Sequence, residues 1–295
     1  MNIIILEPIG ISLEECMKAL PGHDVTEVDS RGWAENPLIE AAKEADVIAI
    51  SNRPLPAKVI ENLPRLKLVA VAFAGIDHVD ASSVKARKIV VQNSAGYANT
   101  AVAELAFGFM ISLARRVVTN ANGIRHGESS KPGTELKGKT LGIIGMGGIG
   151  KEVARLAEAF GMKVLAYDRS NGIPLKDIFA ESDYVTLHVP LTPETRGLVN
   201  LERIRGMKPS AFIINTARGP VVETDGLLFA LKDGLIAGAA LDVFDMEPPL
   251  PEGYPLLEAP NLIATPHIGF DTREAVAAKG RITLDNIVKF VGGGR

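Results

Sequence analysis

The sequence predicts an α/β protein built on two doubly wound parallel sheets. Short apolar runs alternate with helix-like patterns along all 295 residues, which is typical of parallel strands joined by crossover helices. The alternation is interrupted by a polar, glycine-rich stretch at 120–138. A chain of this length has room for two domains, so we expect one sheet before this stretch and one after it.

The first third of the chain has the pattern of a five-stranded doubly wound unit. Its apolar runs predict strands at 3–6, 25–28, 47–50, 68–72 and 89–91. The stretches between them predict helices near 11–20, 36–45, 56–63 and 80–86. A long apolar helix is predicted next, over about 100–118, and 120–138 is interpreted as an arm that leaves the fold.

The second unit has the pattern of a complete dinucleotide-binding fold. Its six predicted strands are 140–145, 163–167, 184–189, 211–215, 237–242 and 261–264. A helical tail at 272–290 follows the last strand, and we expect it to pack back on the first unit.

A glycine-rich turn follows the first strand of the second unit. Gly145, Gly147 and Gly150 have the G-x-G-x-x-G spacing, and Asp168 ends the next strand. Such glycines let the backbone approach a pyrophosphate, and such an acid accepts hydrogen bonds from the ribose. Asp168 favours NAD because its charge repels a 2′-phosphate, although Arg169 beside it leaves NADP open. The sequence therefore predicts an NAD-binding Rossmann domain at 99–267, inserted into a flavodoxin-like substrate domain at 1–98 and 268–295.

Polar residues follow the other strands of the second unit, at the edge where open parallel sheets bind ligands. The segment His188-Val189-Pro190 follows the third strand and is predicted to line the dinucleotide site. Arg218 follows the fourth strand, Glu247 lies beyond the fifth and His267 follows the sixth. An arginine, a glutamate and a histidine are thus expected on one rim of one sheet.

These residue types suit hydride transfer to a 2-keto acid. A carbonyl that accepts hydride needs a proton donor, for which histidine is the usual choice. The substrate carboxylate needs a planar cation that binds it at two points, which favours arginine. A glutamate beside the histidine stabilises the imidazolium. Each residue alone is better explained as structural, but beside the glycine turn the three predict a catalytic set of Arg218, Glu247 and His267.

The composition argues against several other kinds of partner. A net charge of -3 gives no basic excess for nucleic acid or an anionic membrane. The single cysteine, Cys16, lies on an apolar helix face and fits a cytoplasmic protein without disulfides. No cluster has the spacing of metal ligands, so no metal is expected.

Four motifs resemble, in the same order, those of the D-isomer-specific 2-hydroxyacid dehydrogenases. They are G-I-I-G-M-G-G-I-G at 142–150, N-T-A-R-G at 215–219, D-V-F-D-M-E-P at 242–248 and T-P-H-I-G at 265–269. The segment 73–80 resembles the substrate loop of the family, and 99–104 resembles the start of its interdomain helix. The match runs from about residue 45 to the C-terminus.

The resemblance implies a role for each matching residue. Arg218 would anchor the substrate carboxylate, His267 would donate and accept the proton, and Glu247 would be its partner. Cofactor contacts are implied at Ala74, Gly148, Ile149, Asp168, Thr195, Thr216, Ala217, Arg218, Asp242, His267 and Gly269. Substrate contacts are implied at Ser51, Asn52, Phe73, Ala74, Gly75 and Ile76, of which the backbone amides at 74–76 would hold the carboxylate.

The predicted substrate is a small 2-keto acid such as glyoxylate or hydroxypyruvate. The chain resembles the catalytic core of the 3-phosphoglycerate dehydrogenases, ending at Arg295 without a regulatory domain. Those enzymes carry arginines near the substrate loop, whereas the matching places here hold Ile50 and Val71, with Arg53 displaced and Phe73 narrowing the pocket. A phosphate without arginine would be poorly held. A 3-phosphoglycerate dehydrogenase and a non-enzymatic NAD-sensing protein stay open as alternatives.

A homodimer is expected from the long apolar helix. A helix as apolar as 100–118 needs a broad partner surface, and the arm at 120–138 is placed to exchange between subunits. The resemblance also implies a dimer, although this arm lacks the tryptophan usual in the family.

Overall fold

The chain folds into two compact units. The computed structural model describes residues 1–168, 172–246 and 248–293. The first unit comprises Met1–Ala98 and Thr272–Arg295, and the second comprises Asn99–Asp271. Within the described ranges, no helix combines the length and apolarity that crossing a membrane requires.

The first unit holds a parallel sheet. Its strands are β1 Asn2–Ile5, β2 Asp24–Glu27, β3 Val47–Ile50, β4 Leu68–Val71 and β5 Val90–Asn93. Their order is β2-β1-β3-β4-β5, as in flavodoxin-like folds. The helices that join them are α1 Leu13–Ala19, α2 Glu35–Ala42, α3 Ala57–Glu61 and α4 Ala81–Ala86. Strands β3 and β4 are buried along their whole length, which explains their unbroken apolar sequences.

The second unit holds another parallel sheet. Its helices are α5 Asn99–Ala114, α6 Val117–Arg125, α7 Gly148–Ala159, α8 Leu175–Glu181, α9 Leu201–Arg205 and α10 Thr224–Lys232. Its strands are β6 Thr140–Ile144, β7 Lys163–Tyr167, β8 Tyr184–Leu187, β9 Phe212–Asn215, β10 Gly238–Leu241 and β11 Leu262–Ala264. Their order is β11-β10-β9-β8-β6-β7, so the winding reverses at β6 and β8, where doubly wound sheets bind ligands. The predicted fold class, two doubly wound α/β domains, is confirmed.

The helix predicted over 100–118 is interrupted, which corrects the sequence prediction. Helix α5 ends at Ala114, Arg116 adopts a left-handed φ of 51°, and α6 begins at Val117. The side chain of Asn120 donates to the carbonyl of Lys131 at 3.0 Å and accepts from its N–H at 2.8 Å. The first part of the predicted arm is therefore helical, and the chain after it folds back on α6.

The boundary predicted at 267/268 lies too early. The N–H groups of Ile268 and Gly269 donate to the carboxylate of Asp242, which ties them to the second unit. The side chain of Thr272 accepts from the N–H of Ala275 and begins the C-terminal helix, α11 Arg273–Val291. The first unit therefore resumes at Thr272. That one unit binds the cofactor and the other the substrate stays a prediction.

Helix α11 lies close against the loop that follows β1. A Cβ on Gly10, whose φ is 99°, would collide with the carbonyl of Val276. A Cβ on Gly280 would lie 2.7 Å from Cγ2 of Ile11. The two glycines let helix and loop approach, and α11 also packs on β4 and β5.

Candidate active site

The glycine-rich turn lies where the winding of the second sheet reverses. Gly145 has a φ of 103°, and a Cβ there would collide with the carbonyl of His188 after β8. A Cβ on Gly150 would collide with the carbonyl of Gly145. Gly147 precedes α7, makes no side-chain cap and has open space around it. The turn and the first N–H groups of α7 therefore form the kind of cradle that binds a pyrophosphate.

Two buried polar atoms at this edge have no hydrogen-bond partner among the residues that the structure describes. They are Nδ1 of His188 and Oγ1 of Thr216. Burial lowers the pKa of His188 to about 3, so its ring is neutral at physiological pH, and its Nε2 lies 2.9 Å from Oγ1 of Thr186. Buried polar atoms of this kind fit a polar ligand such as a nicotinamide dinucleotide. The glycine cradle and these atoms are together suited to NAD.

The remaining predicted cofactor residues lie around the same edge. Asp168 directly follows β7 and is half-buried, whereas Arg169, on which the NADP alternative depends, lies outside the described residues. Gly148 and Ile149 open α7, and the side chain of Asn99 lies against Gly148 where a Cβ would stand. Their contacts with NAD stay predictions.

The chain after His188 turns around a buried threonine. The hydroxyl of Thr195 donates to the carbonyl of Pro190 at 2.7 Å and accepts from the N–H of Thr192 at 2.7 Å. Val189 is half-buried and Pro190 is exposed. Thr195 therefore fixes the shape of this turn, which is a structural role in addition to its predicted cofactor contact.

Arg218 lies on a loop that Asn215 holds from inside. The buried side chain of Asn215 accepts from the N–H of Ala217 at 3.0 Å and donates to the carbonyl of Arg218 at 2.9 Å. The guanidinium of Arg218 is half-buried, and its Nη1 donates to the carbonyl of Ala217 at 2.8 Å. The backbone that carries Arg218 is thus braced independently of the guanidinium.

Glu247 lies outside the described residues, but the segment before it is held at two points. A Cβ on Gly219 would collide with the carbonyl of Phe244, so the Arg218 loop lies directly against this segment. The hydroxyl of Tyr254 donates to Oδ1 of Asp245 at 2.6 Å. Burial and the hydrogen bond to Asp245 raise the pKa of Tyr254 to about 12, so this donor keeps its proton. The role of Glu247 stays a prediction.

His267 lies on a loop that the buried carboxylate of Asp242 organises. Oδ1 of Asp242 accepts from the Thr265 hydroxyl at 2.5 Å and from the N–H of Ile268 at 2.8 Å. Oδ2 accepts from the N–H of Gly269 at 2.7 Å. The N–H of His267 donates to the carbonyl of Asp242 at 2.9 Å, and its φ is 57°. Asp242, predicted as a cofactor contact, therefore also positions the backbone of His267.

Arg218 and His267 lie at the same edge of one sheet. They follow β9 and β11, which flank β10, and Asp242 follows β10. The N–H of Asp242 donates to the carbonyl of Asn215 at 2.9 Å, so the loops after β9 and β10 are joined. A cation suited to a carboxylate and a group able to donate a proton therefore share an edge with a dinucleotide cradle.

The predicted substrate residues of the first unit lie at the carboxyl edge of its sheet. Ser51 and Asn52 follow β3, and 73–76 follow β4. Nδ2 of Asn93 donates to the carbonyl of Ala74 at 2.5 Å, which holds this loop. Within the described chain, the N–H groups of 74–76 donate no hydrogen bond. Consecutive N–H groups of this kind suit the predicted binding of a carboxylate.

Two buried charges at this edge are not predicted from the sequence. Oε2 of Glu7 accepts from the N–H groups of Ser51 at 2.7 Å and Arg53 at 2.8 Å. Nζ of Lys279 donates to Oγ of Ser51 at 3.2 Å. Glu7 follows β1, so its place beyond the carboxyl end of a strand could have marked it as a residue of this edge. Lys279 lies in the middle of α11, where a lysine ordinarily indicates a position exposed to solvent.

The ranges that the structure describes contain neither a reactive thiol nor a group of metal ligands at these sites. Cys16 is buried, and burial raises the pKa of its thiol to about 11, so it stays protonated. No group of three or more His, Cys, Asp or Glu side chains there could hold a metal ion.

Together the fold and the second-unit edge define a dinucleotide-dependent oxidoreductase. The model of the D-isomer specific 2-hydroxyacid dehydrogenase, NAD binding domain, matches residues 107–269, and the chain belongs to this family. It is accordingly an NAD-dependent dehydrogenase of 2-hydroxy acids.

Known proteins resemble the chain over nearly its whole length. It is 42% identical over 285 residues to glycerate dehydrogenase of Methylorubrum extorquens, covering 92% of this chain and 90% of that protein. It is 38% identical over 310 residues to D-3-phosphoglycerate dehydrogenase of Methanocaldococcus jannaschii, covering 99% of this chain but 58% of that protein. D-Lactate dehydrogenase of Aquifex aeolicus, solved with NAD and lactic acid, is 30% identical, with a TM-score of 0.86 and coverage of 99% and 96%.

Proposed function

We propose that the chain reduces a small 2-keto acid, such as hydroxypyruvate or glyoxylate, to the D-2-hydroxy acid. The observation that carries this proposal is the shared edge of Arg218 and His267 beside the glycine cradle. Bound NADH supplies the hydride. Arg218 binds the carboxylate through two parallel hydrogen bonds, and His267 donates a proton to the carbonyl oxygen. Glu247 is proposed to stabilise the imidazolium, as the family resemblance implies.

The first unit disfavours a phosphorylated substrate. Ile50 and Val71 are fully buried, at the places where the resemblance implies arginines in 3-phosphoglycerate dehydrogenases. The guanidinium of Arg53 donates to the carbonyls of Ser30 at 2.8 Å and Trp33 at 2.5 Å, so it is engaged elsewhere. Glycerate, named for the Methylorubrum relative, is the reduction product of hydroxypyruvate, which also supports a small unphosphorylated substrate.

A screen of 2-keto acids tests this function. With NADH in excess, hydroxypyruvate or glyoxylate should be reduced with a kcat/KM of at least about 10⁴ M⁻¹ s⁻¹, the lower end for ordinary enzymes. The rate is followed by loss of NADH absorbance, with 3-phosphohydroxypyruvate in a parallel assay. A phosphorylated acid preferred by more than about tenfold would favour the 3-phosphoglycerate dehydrogenase alternative instead, a discrimination of about 1.4 kcal/mol.

We also infer a homodimer that acts in the cytoplasm. Large apolar side chains are exposed along α5 and α6, at Ile111, Val117, Val118 and Ile124. Ile124 is 76% exposed, and apolar surface of this kind marks an interface. The cytoplasmic location is supported by the free, buried thiol of Cys16.

Light scattering tests the dimer. The protein should have twice the mass of one chain, and Ile124→Asp should halve that mass because a buried carboxylate is costly. Met17→Asp is the matched control, because Met17 is also a large, exposed apolar residue but lies on α1 in the other unit. A wild-type mass of one chain would reject the dimer.

A further inference from the structure

Asn99 is a half-buried residue of the second unit that begins α5 and lies against the glycine turn. A Cβ on Gly148, the first residue of α7, would collide with Nδ2 of Asn99 and would lie 3.0 Å from its Oδ1. The missing side chain at Gly148 therefore leaves a place that the Asn99 amide fills. Among the residues that the structure describes, this amide has no hydrogen-bond partner. Its N–H donors are thus available to a ligand.

The N-termini of α5 and α7 meet at this point. Asn99 is the first residue of α5 and Gly148 the first of α7, and neither helix has an acidic residue in its first turn. The first N–H groups of a helix have no intrahelical acceptor, and the helix dipole adds partial positive charge. The Asn99 amide thus lies between two helix ends that favour an anion. The pyrophosphate of NAD, for which the glycine turn is suited, is such an anion.

The first turn of α5 also lies against the loop that carries His267. A Cβ on Gly269, two residues after His267, would lie 3.5 Å from Cγ2 of Val102. Asp168, which is predicted to bind the adenosine ribose, follows β7, at the opposite end of the strand order from β11. Because His267 is proposed to act at the nicotinamide end of NAD, the phosphate nearest α5 belongs to the nicotinamide half.

We propose that Asn99 binds NAD by donating from Nδ2 to an oxygen of the phosphate on the nicotinamide side of the pyrophosphate. This bond adds a side-chain donor to a cradle of backbone N–H groups, to which Gly148 contributes no side chain. The proposal rests on the glycine turn as the pyrophosphate site and holds for any 2-keto acid. Asn99 takes no part in proton transfer.

The test compares the dissociation constants of NADH, ADP-ribose and AMP, measured by calorimetry. ADP-ribose keeps both phosphates but lacks the nicotinamide, and AMP keeps only the phosphate on the adenosine side. In Asn99→Ala, the Kd values for NADH and ADP-ribose should rise equally, by about 10- to 100-fold, as expected for one hydrogen bond to a charged group. The Kd for AMP should stay at the wild-type value. No 2-keto acid is present, so the result does not depend on the proposed function.

A second variant, Asn99→Asp, separates a hydrogen bond from simple packing. Aspartate has nearly the shape of asparagine, and its charge in the first turn of α5 favours the helix. Its carboxylate repels the phosphate, so Asn99→Asp should bind NADH and ADP-ribose more weakly than Asn99→Ala does. If Asn99→Ala does not fold, Asn99→Asp decides alone. Asn122→Asp is the matched control, because it adds the same charge at an exposed position of α6, and it should keep the wild-type Kd values.

Three results would overturn the proposal. A raised Kd for NADH beside an unchanged Kd for ADP-ribose would assign Asn99 to the nicotinamide instead. Equal loss of affinity for all three ligands would show a change in the cradle itself or a contact with the other phosphate. Wild-type affinity of Asn99→Asp for NADH would leave Asn99 with only a packing role against Gly148.

Discussion

Replacement of His267 by asparagine is expected to lower kcat for 2-keto acid reduction by about 10²- to 10⁴-fold, the usual contribution of a positioned general acid. Asparagine is preferable to alanine because the φ of His267 is 57°, and asparagine adopts left-handed backbone more readily. The hydrogen bonds from the loop to Asp242 come from Thr265, Ile268 and Gly269, so they remain. The loss of kcat therefore measures the contribution of the imidazole rather than a change in the structure of the loop.

The pH profile of this variant distinguishes His267 from His188. Reduction consumes a proton and oxidation releases one, so kcat/KM of the wild-type enzyme should fall with rising pH for reduction and increase for oxidation. Burial lowers the pKa of His188 to about 3, so His188 stays neutral between about pH 5 and 8 and contributes no limb there. The profile of His267→Asn should therefore be flat in this range.

His126→Asn is the matched control for this substitution. His126 is an exposed residue of the same unit that ends α6, away from the sheet edge. Its replacement should leave kcat and the pH profile at wild-type values. A positioned general acid contributes more than about tenfold to the rate. If His267→Asn keeps turnover within about tenfold of wild type, another group donates the proton.

Buried strands and the glycine turn are the parts of this fold that the sequence predicts best. Strands β3, β4 and β8 are buried throughout, so nothing interrupts their apolar sequences and each begins where it was predicted, although β4 ends one residue and β8 two residues earlier than expected. Gly145 and Gly150 are equally easy to recognise in the sequence, because the close contacts of their backbones exclude any Cβ. In both cases the physical requirement acts on the residue itself, not on a distant partner.

The break after α5 shows what local patterns do not reveal. Arg115 and Arg116 have good helix propensity, so the sequence predicts that the helix continues. At the end of α5 the carbonyl of Ala114 accepts from the N–H of Thr134 at 2.8 Å, a contact between residues twenty positions apart, so it is not available to continue the helix. Long-range contacts of this kind override propensity and leave no periodic signal.

The candidate site divides in the same way. Arg218 and His267 directly follow strands, so topology alone predicts their shared edge. The role of Asp242 in positioning the backbone of His267 cannot be predicted in this way, because it depends on three hydrogen-bond donors of a later loop. Lys279 gives no signal at all, because burial of a mid-helix lysine depends on how closely α11 approaches the loop after β1. Contacts that a distant element makes at a sheet edge are therefore found only in the structure.

Replacement of Arg218 by alanine is expected to lower kcat/KM for 2-keto acids by about 10²- to 10⁴-fold. A guanidinium binds a carboxylate through two parallel hydrogen bonds, and charged hydrogen bonds contribute about 1.5–3 kcal/mol each. Every 1.4 kcal/mol corresponds to about tenfold in affinity. Arg218→Lys should recover only part of the loss, because an ammonium is a point charge without the planar fork.

The loop itself should survive the loss of Arg218, since Asn215 bonds its backbone through the N–H of Ala217 and the carbonyl of residue 218. Arg205→Ala, at an exposed position of α9, is the matched control and should keep the wild-type kcat/KM. In steady-state assays, added guanidinium should restore part of the activity of Arg218→Ala. The affinity of this variant for NADH should change much less than its KM for the 2-keto acid. If Arg218→Ala kept the wild-type kcat/KM, the carboxylate would be bound elsewhere, and the N–H groups of 74–76 would be the next candidates because they donate no hydrogen bond within the described chain.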